Sequence, residues 1–298
     1  MHWFILALLA SALWAIIVIV DKFVLVHYIK DAFSYQIFIT ISLIPVVLVL
    51  FRLALFQGYF LLQLMTLASG MALGIMFVLY NKALLIEEAS RVTPLFFITP
   101  LFVVIFSALF LGEKLAANEY LGIGLLVFSA IAVSLRRSGF ASITVSPALL
   151  MILCLDVVIA GKDIIAKYVF GYIDFWSFLF WFMLGELIAR PLFLLGPTIR
   201  RRFTKDIRSL PLRVYLLCFI TSALMCIGYV FYFKAVSLTY VSLVSAIPSI
   251  QPFFVLLFAL LLSLHFPTSL NESMERKEII VKALAALMIV IGSYLIIS

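Results

Sequence analysis

Long apolar runs separated by short polar clusters set the pattern of this chain. A helix crosses the hydrocarbon of a bilayer with about 20 apolar residues. Ten stretches fit that length: 2–27, 32–53, 59–81, 89–111, 117–135, 146–169, 175–195, 212–233, 240–263 and 279–297. The connections between them are mostly too short to fold alone. The pattern predicts an all-α polytopic membrane protein of ten transmembrane helices with no soluble module. The first stretch turns apolar directly after His2, lacks a basic leader and runs past signal-peptide length. It reads as the first span, not as a cleaved signal.

One polar junction is written twice. Tyr80, Lys82 and Ala83 return 152 residues later as Tyr232, Lys234 and Ala235. The same offset pairs Val78 with Val230, Ile98 with Ile250 and Pro100 with Pro252. Upstream, Leu13 falls on Leu155, Asp21 on Asp163, Asp31 on Asp174 and Ser34 on Ser177, while downstream Gly122 and Ser129 fall on Ala285 and Gly292. This collinear order divides the chain into two five-helix repeats, residues 1–137 and 146–298. Five is odd, so the repeats are expected to cross the bilayer in opposite senses. Inverted repeats of this kind mark secondary transporters, with the site at the repeat interface near the midplane. Lys82 and Lys234, at helix ends, read as anchors whose stems snorkel to water.

Composition narrows the function. The chain is 66% hydrophobic and 12% charged, against about a quarter charged in soluble domains. Its net charge of +7 reads as loop charge flanking membrane spans, not as a nucleic-acid surface. Cys154, Cys218 and Cys226 lie inside spans without paired spacing, which predicts neither a disulfide framework nor a metal site. The three histidines are scattered, and no metalloprotease, phosphate-loop or nucleophile-elbow motif is present. Neither an enzyme nor a cofactor is expected.

Within the spans, prolines, charges and mid-membrane aromatics are the candidate chemistry. Pro94 and Pro100 interrupt the fourth span, and Pro248 and Pro252 interrupt the ninth. A proline inside a helix removes one hydrogen bond, so carbonyls such as Phe96 and Val244 are expected to find other partners or to line a polar cavity. Thr99 and Gln251 stand beside these breaks at equivalent positions. Asp156 lies about midway along the sixth span, where an ionisable side chain is costly and points to function. Asp156, Asp163 and Lys167 share one helix face; Asp163 with Lys167, and Glu186 with Arg190, have the i, i+4 spacing of ion pairs. Asp156 has no such partner on its own helix, which leaves an interhelical hydrogen bond or a cavity-lining role. Its repeat mate is Trp14, and a carboxylate opposite an indole face suits an organic cation or amino group. Trp14, Tyr80, Thr99, Asp156, Tyr232 and Gln251 are thus the candidate substrate-binding residues. Phe175, Trp176, Phe178, Phe180 and Trp181 read as packing and interface belt.

FLGEKLAANEYLGIGLLVFSAIAVSL, Phe110 to Leu135, resembles the drug/metabolite transporter superfamily in its ten-helix form with two EamA domains. The likeness lies in the helix-four end, the loop glutamate Glu113 and the glycine-bearing fifth helix. The second half departs from it, with His265 in place of Glu113 and Ala285 in place of Gly122. The resemblance implies a transporter of small metabolites such as amino acids, amines, nucleotide sugars or drugs. The expected protein is a multi-pass secondary transporter of the cell membrane, working by alternating access on a small polar or amphiphilic substrate. A proton or counter-substrate would drive it, and its partners would be substrate and lipid bilayer, with no nucleic acid. A lipid flippase or scramblase is the alternative, for which the phenylalanine-rich surface would suit acyl chains.

Orientation divides the two lines of reasoning. Basic residues concentrate on the side opposite the termini, above all Arg200, Arg201, Arg202, Lys205, Arg208 and Arg213, which by the positive-inside rule puts both termini outside. The resemblance puts both inside. An impermeant thiol reagent on intact cells should label Ser298→Cys, in a background without native cysteines, if the charge rule governs. It should spare that cysteine if the resemblance does.

Overall fold

The computed structural model describes residues 2–29, 31–56, 59–86, 95–135, 147–255, 257–258 and 276–297, and these contain helices and no strand. The helices are α1 (His2–His27), α2 (Ala32–Ser42), α3 (Ile44–Leu53), α4 (Phe60–Ile86), α5 (Thr99–Phe106), α6 (Ala117–Leu135), α7 (Pro147–Val169), α8 (Phe175–Ala189), α9 (Pro197–Ser209), α10 (Leu212–Leu238), α11 (Val241–Ala246) and α12 (Arg276–Ile297). Among the described residues, four segments are long and apolar enough to cross a membrane: 2–25 in α1, 60–83 in α4, 175–195 from α8 onward, and α10. α2 and α3, bent by 41°, make a fifth if they form one span. The fold is an all-α, polytopic membrane fold.

Local chemistry places the helix ends. The Asp31 carboxylate accepts from Ser34 N at 2.9 Å at the start of α2. Asp174 accepts from Trp176 N and Ser177 N at 3.0 Å at the start of α8. The two aspartates matched in the sequence therefore do one job, satisfying amide groups that have no partner in a first turn. The prolines differ in their setting. Pro100 lies in the first turn of α5, where a proline displaces no hydrogen bond, whereas Pro248 lies in the 3₁₀ segment Ile247–Ile250 inside the continuous helical run 241–255 and cannot donate to Val244 O. Pro252 follows in the helical stretch 251–255, and Pro94 lies outside the described residues, as does His265. The freed carbonyls find local partners: Phe96 O accepts from Thr99 Oγ1 at 2.8 Å, and Val244 O from Ile247 N. Residues 196–211, which the sequence reading took as a loop, contain α9.

The helices pack in seams. α4 lies against both α7 and α8, α1 against α10 and the Ile247–Ile250 segment, α5 against α7 and α11, α2 against α10, and α6 against α12. Two seams need glycine. A Cβ on Gly185 of α8 would sit 2.2 Å from Leu67 O, and one on Gly70 of α4 would sit 2.0 Å from Phe182 O. Gly122 and Gly292 face each other between α6 and α12, each too close for a Cβ. Contacts across loops sort into two ends. At one end Ser177 Oγ accepts from Leu55 N at 3.1 Å and Phe56 N at 3.2 Å, and Tyr59 meets Tyr172. At the other, Lys82 lies over Phe33, Phe33 meets Phe193, and Arg213 lies over Tyr28.

Gly185→Ala should push α4 and α8 apart and lower stability by about 1–3 kcal/mol, the scale of overpacking. Gly124→Ala is the control, since nothing lies within 4 Å of its added Cβ. Thermal unfolding in detergent should show a lowered midpoint for the first and no loss for the second.

Candidate functional site

Two buried polar clusters occupy the bundle. The first forms where α5 begins beside the middle of α7. Asp156 is fully buried, and its Oδ1 lies 2.7 Å from Thr99 Oγ1. That hydroxyl also lies 2.8 Å from Phe96 O. A threonine hydroxyl carries one proton and can donate to one of these acceptors only. Both contacts become hydrogen bonds when Asp156 carries a proton and donates it to Thr99. Asp156 Oδ2 is buried and has no partner among the described residues. The Tyr80 ring meets Phe96 edge-on at 4.9 Å. Tyr80 and Phe96 pack with Ala83, Ala148 and Ile152, and the Phe96 carbonyl links this wall to Thr99 and Asp156.

The second cluster is ionic and lies between α1, α7, α8 and α10. Lys162 Nζ pairs with Asp163 Oδ1 at 2.5 Å, and Tyr232 donates to Asp163 Oδ2 at 2.8 Å. Arg190 pairs with Glu186 Oε2 at 2.6 Å, and Tyr229 donates to Glu186 Oε1 at 3.2 Å. The Tyr35 hydroxyl donates to Asp21, which Arg190 and Tyr80 reach electrostatically. Trp14 leans on Tyr232 at 5.3 Å and Tyr229 at 6.0 Å between ring centres. Its indole N–H has no partner among the described residues and faces Gly228, whose absent Cβ leaves it room.

These contacts separate the six candidates. Trp14 and Tyr232 join the ionic cluster, while Tyr80, Thr99 and Asp156 join the other. Among the described residues the Trp14 N–H and Asp156 Oδ2 each lack a partner. Gln251 stands half-buried where the Ile247–Ile250 segment ends. The i, i+4 pair expected of Asp163 and Lys167 does not form. Lys167, in the last turn of α7, donates instead to Val236 O at 3.0 Å and Thr239 O at 2.6 Å, because a helix C-terminus offers free carbonyls to a cation. Lys162 is left to neutralise Asp163.

Sequence reasoning missed Lys162, Tyr229 and the task of Glu113. The Glu113 carboxylate accepts from Val241 N at 2.8 Å, Ser242 N at 3.2 Å and Ser242 Oγ at 2.5 Å. It follows Gly112, whose φ of +68° ends the π-helical turn Ser107–Leu111. A loop acid of the first half therefore caps α11 of the second. Beside it a cavity of about 590 Å³ opens at the same end, lined by Glu119, Lys167 and Tyr240 among others.

Comparison with known proteins gives this arrangement its context. Residues 1–135 match the EamA-like transporter family. That segment, somewhat less than half of the chain, is similar to EamA-like transporter domains. The stretch Phe110 to Leu135, which carried the resemblance, lies within it, and the family is one of transporters, not of enzymes. A 63-residue segment is 40% identical to the "uncharacterized transporter in cobO 3'region" of a Sinorhizobium species, covering 21% of this chain and 45% of that protein. The match thus spans less than half the length of that relative. A protein known from its crystal structure superposes with a TM-score of 0.69 over 98% of this chain and 95% of its own. At 16% identity that likeness carries the fold alone.

Removing one member of the ionic cluster should be costly. Asp163→Asn leaves Lys162 buried without a counter-charge and should destabilise the protein by about 3–5 kcal/mol. Adding Lys162→Met should restore most of the loss. Asp156→Asn, which removes no counter-ion of an ion pair, should cost less than Asp163→Asn in the same thermal unfolding measurement.

Proposed function

We propose that the chain is a secondary transporter of a small polar or amphiphilic metabolite, such as an amino acid or amine, across the cell membrane. In this reading ten spans form two inverted five-helix repeats, residues 1–137 and 146–298, which exchange access to a central site. The EamA-like domain supports it, and so does the matching of contacts between halves. α1 on α10 has its mate in α4 on α7, and α4 on α8 in α2 on α10. Asp31 and Asp174 cap equivalent helices. Lys82 lies over Phe33 at 4.8 Å, and its mate Lys234 over Phe175 at 5.5 Å. Asp163 bonds Tyr232, and its mate Asp21 lies within electrostatic reach of Tyr80.

The observation that carries the mechanism is the Thr99 hydroxyl shared between Phe96 O and Asp156, with the second carboxyl oxygen unpartnered. Asp156 is the coupling group in this reading. With its proton it closes the Phe96–Thr99–Asp156 chain and crosses the apolar interior neutral. Without it, a buried carboxylate faces no cation, and a partner must come from water or from an amino group of the substrate. Thr99 begins α5 at the break, so a change in Asp156 acts directly on a helix end. Tyr80 and Phe96 form the adjoining wall, whereas Trp14 and Tyr232 belong to the ionic hub on which the halves move.

Proteoliposomes offered a panel of labelled metabolites and a labelled lipid identify the cargo. With that cargo, Asp156→Asn should still exchange labelled for unlabelled substrate but should no longer accumulate it in response to a pH gradient. Gradient-driven accumulation at the wild-type rate in Asp156→Asn would remove the carboxyl from coupling. Movement of the lipid alone would replace the reading with the flippase alternative.

A further inference from the structure

α9 belongs to neither buried cluster and to no span. Its apolar residues Ile199, Phe203 and Ile207 recur every fourth position and dock on a core that includes Ile37, Phe38 and Val214. Five of its other positions are basic and one, Asp206, is acidic. Arg200, Arg201, Arg202, Lys205 and Arg208 are all exposed, and Arg213 follows at the start of α10. Arg202 makes one partly solvated ion pair with Asp31 at 3.2 Å, its own side chain 62% exposed. Against Asp206 and Asp31, the five basic residues of α9 and Arg213 leave a net positive field. A cavity of about 330 Å³ opens between Pro197, Thr198, Arg201 and Arg202. Immediately before and after α9 stand exposed leucines, Leu195 (82%) and Leu212 (74%), at the ends of apolar segments that meet lipid.

A cationic face flanked by lipid-facing leucines fits an amphiphile with an anionic head. We propose that α9 is a binding site for the headgroup of an anionic phospholipid, with Thr198, Arg201 and Arg202 at the phosphate and the leucines beside the acyl chains. An acidic peptide would use the arginines but not the leucines. Inorganic phosphate would likewise leave the apolar half unused. The helix keeps its apolar side on the protein and its basic side toward the headgroup layer, as interfacial amphipathic segments do. Guanidinium groups suit this task because they meet phosphate oxygens in pairs.

The test uses the full-length protein purified in detergent, with thermal stabilisation followed against dioctanoyl phosphatidylglycerol, dioctanoyl phosphatidylcholine and inorganic phosphate. The anionic lipid should act at about tenfold lower concentration than the zwitterionic one, since each nearby basic residue adds attraction to an anionic headgroup. Phosphate at equal concentration should not reproduce the effect. The variant Arg200→Gln, Arg201→Gln, Arg202→Gln, Lys205→Gln keeps the docking face and good helix formers, and it should lose the preference. If that variant does not fold, a salt series on the wild type decides. The preference should collapse by roughly 0.5 M salt, where charges at the surface are screened within a few ångströms. Equal action of the two lipids, an equal effect of phosphate, or a preference indifferent to salt would each overturn the assignment.

Discussion

A charge held in an apolar interior needs a partner, and that requirement organises this bundle. Lys162, Asp163, Glu186 and Arg190 are all nearly fully buried, and each is tied to an opposite charge at 2.5 or 2.6 Å. Tyr229 and Tyr232 of α10 each add one hydrogen bond, to Glu186 and Asp163. An isolated charge at such depth would cost several kcal/mol, so these groups fix how α7, α8 and α10 sit against one another. Glycine at the α4–α8 and α6–α12 seams lets backbones approach, and small residues are how membrane helices gain contact without a hydrophobic driving force between them.

Against this background Asp156 is the exception. Its one side-chain bond is to a neutral hydroxyl that already has another acceptor, and its second oxygen has no partner among the described residues. A structural acid would be paired like Asp163. An acid whose proton comes and goes must sit where neither state is locked by a fixed cation. The break at the start of α5 places a threonine and a free carbonyl beside it, so proton state and helix position share one hydrogen-bond chain. Glu113 and Lys167 act at one end of the bundle, holding α11 and the C-terminal carbonyls of α10. Those ends must loosen if the halves are to move.

The sequence made much of this legible, for stated reasons. Hydropathy gave a membrane protein because apolar length is a one-dimensional property. The repeat predicted equivalence of Asp31 with Asp174, and both turned out to be helix caps, a local function that survives translation between halves. Glu186 and Arg190 followed from i, i+4 spacing. Other features depend on three dimensions. Lys167 looked like the partner of Asp163, but the nearby end of α10 attracts it more strongly, and Lys162 takes its place. Gly122 aligns with Ala285 in the repeat, yet its spatial partner is Gly292, because packing register between α6 and α12 is not a sequence offset. α9 was hidden by its charge, since a helix half covered in arginine reads as loop until its apolar side finds a core. Pro100 stands at the start of α5, where proline is accommodated, whereas Pro248 sits at a 3₁₀ turn within the helical run 241–255.

In the proposed mechanism Asp156 carries a proton while it bonds Thr99. Infrared difference spectra of the wild type minus Asp156→Asn, in the same detergent and at neutral pH, test it most directly. A protonated carboxyl has a carbonyl stretch distinct from that of a carboxylate. The account predicts that this band is present in the wild type, shifts with deuteration and is missing from the Asp156→Asn variant. A difference spectrum showing only the loss of carboxylate bands would contradict it, because Asp156 would then be ionised with its second oxygen facing something other than a proton.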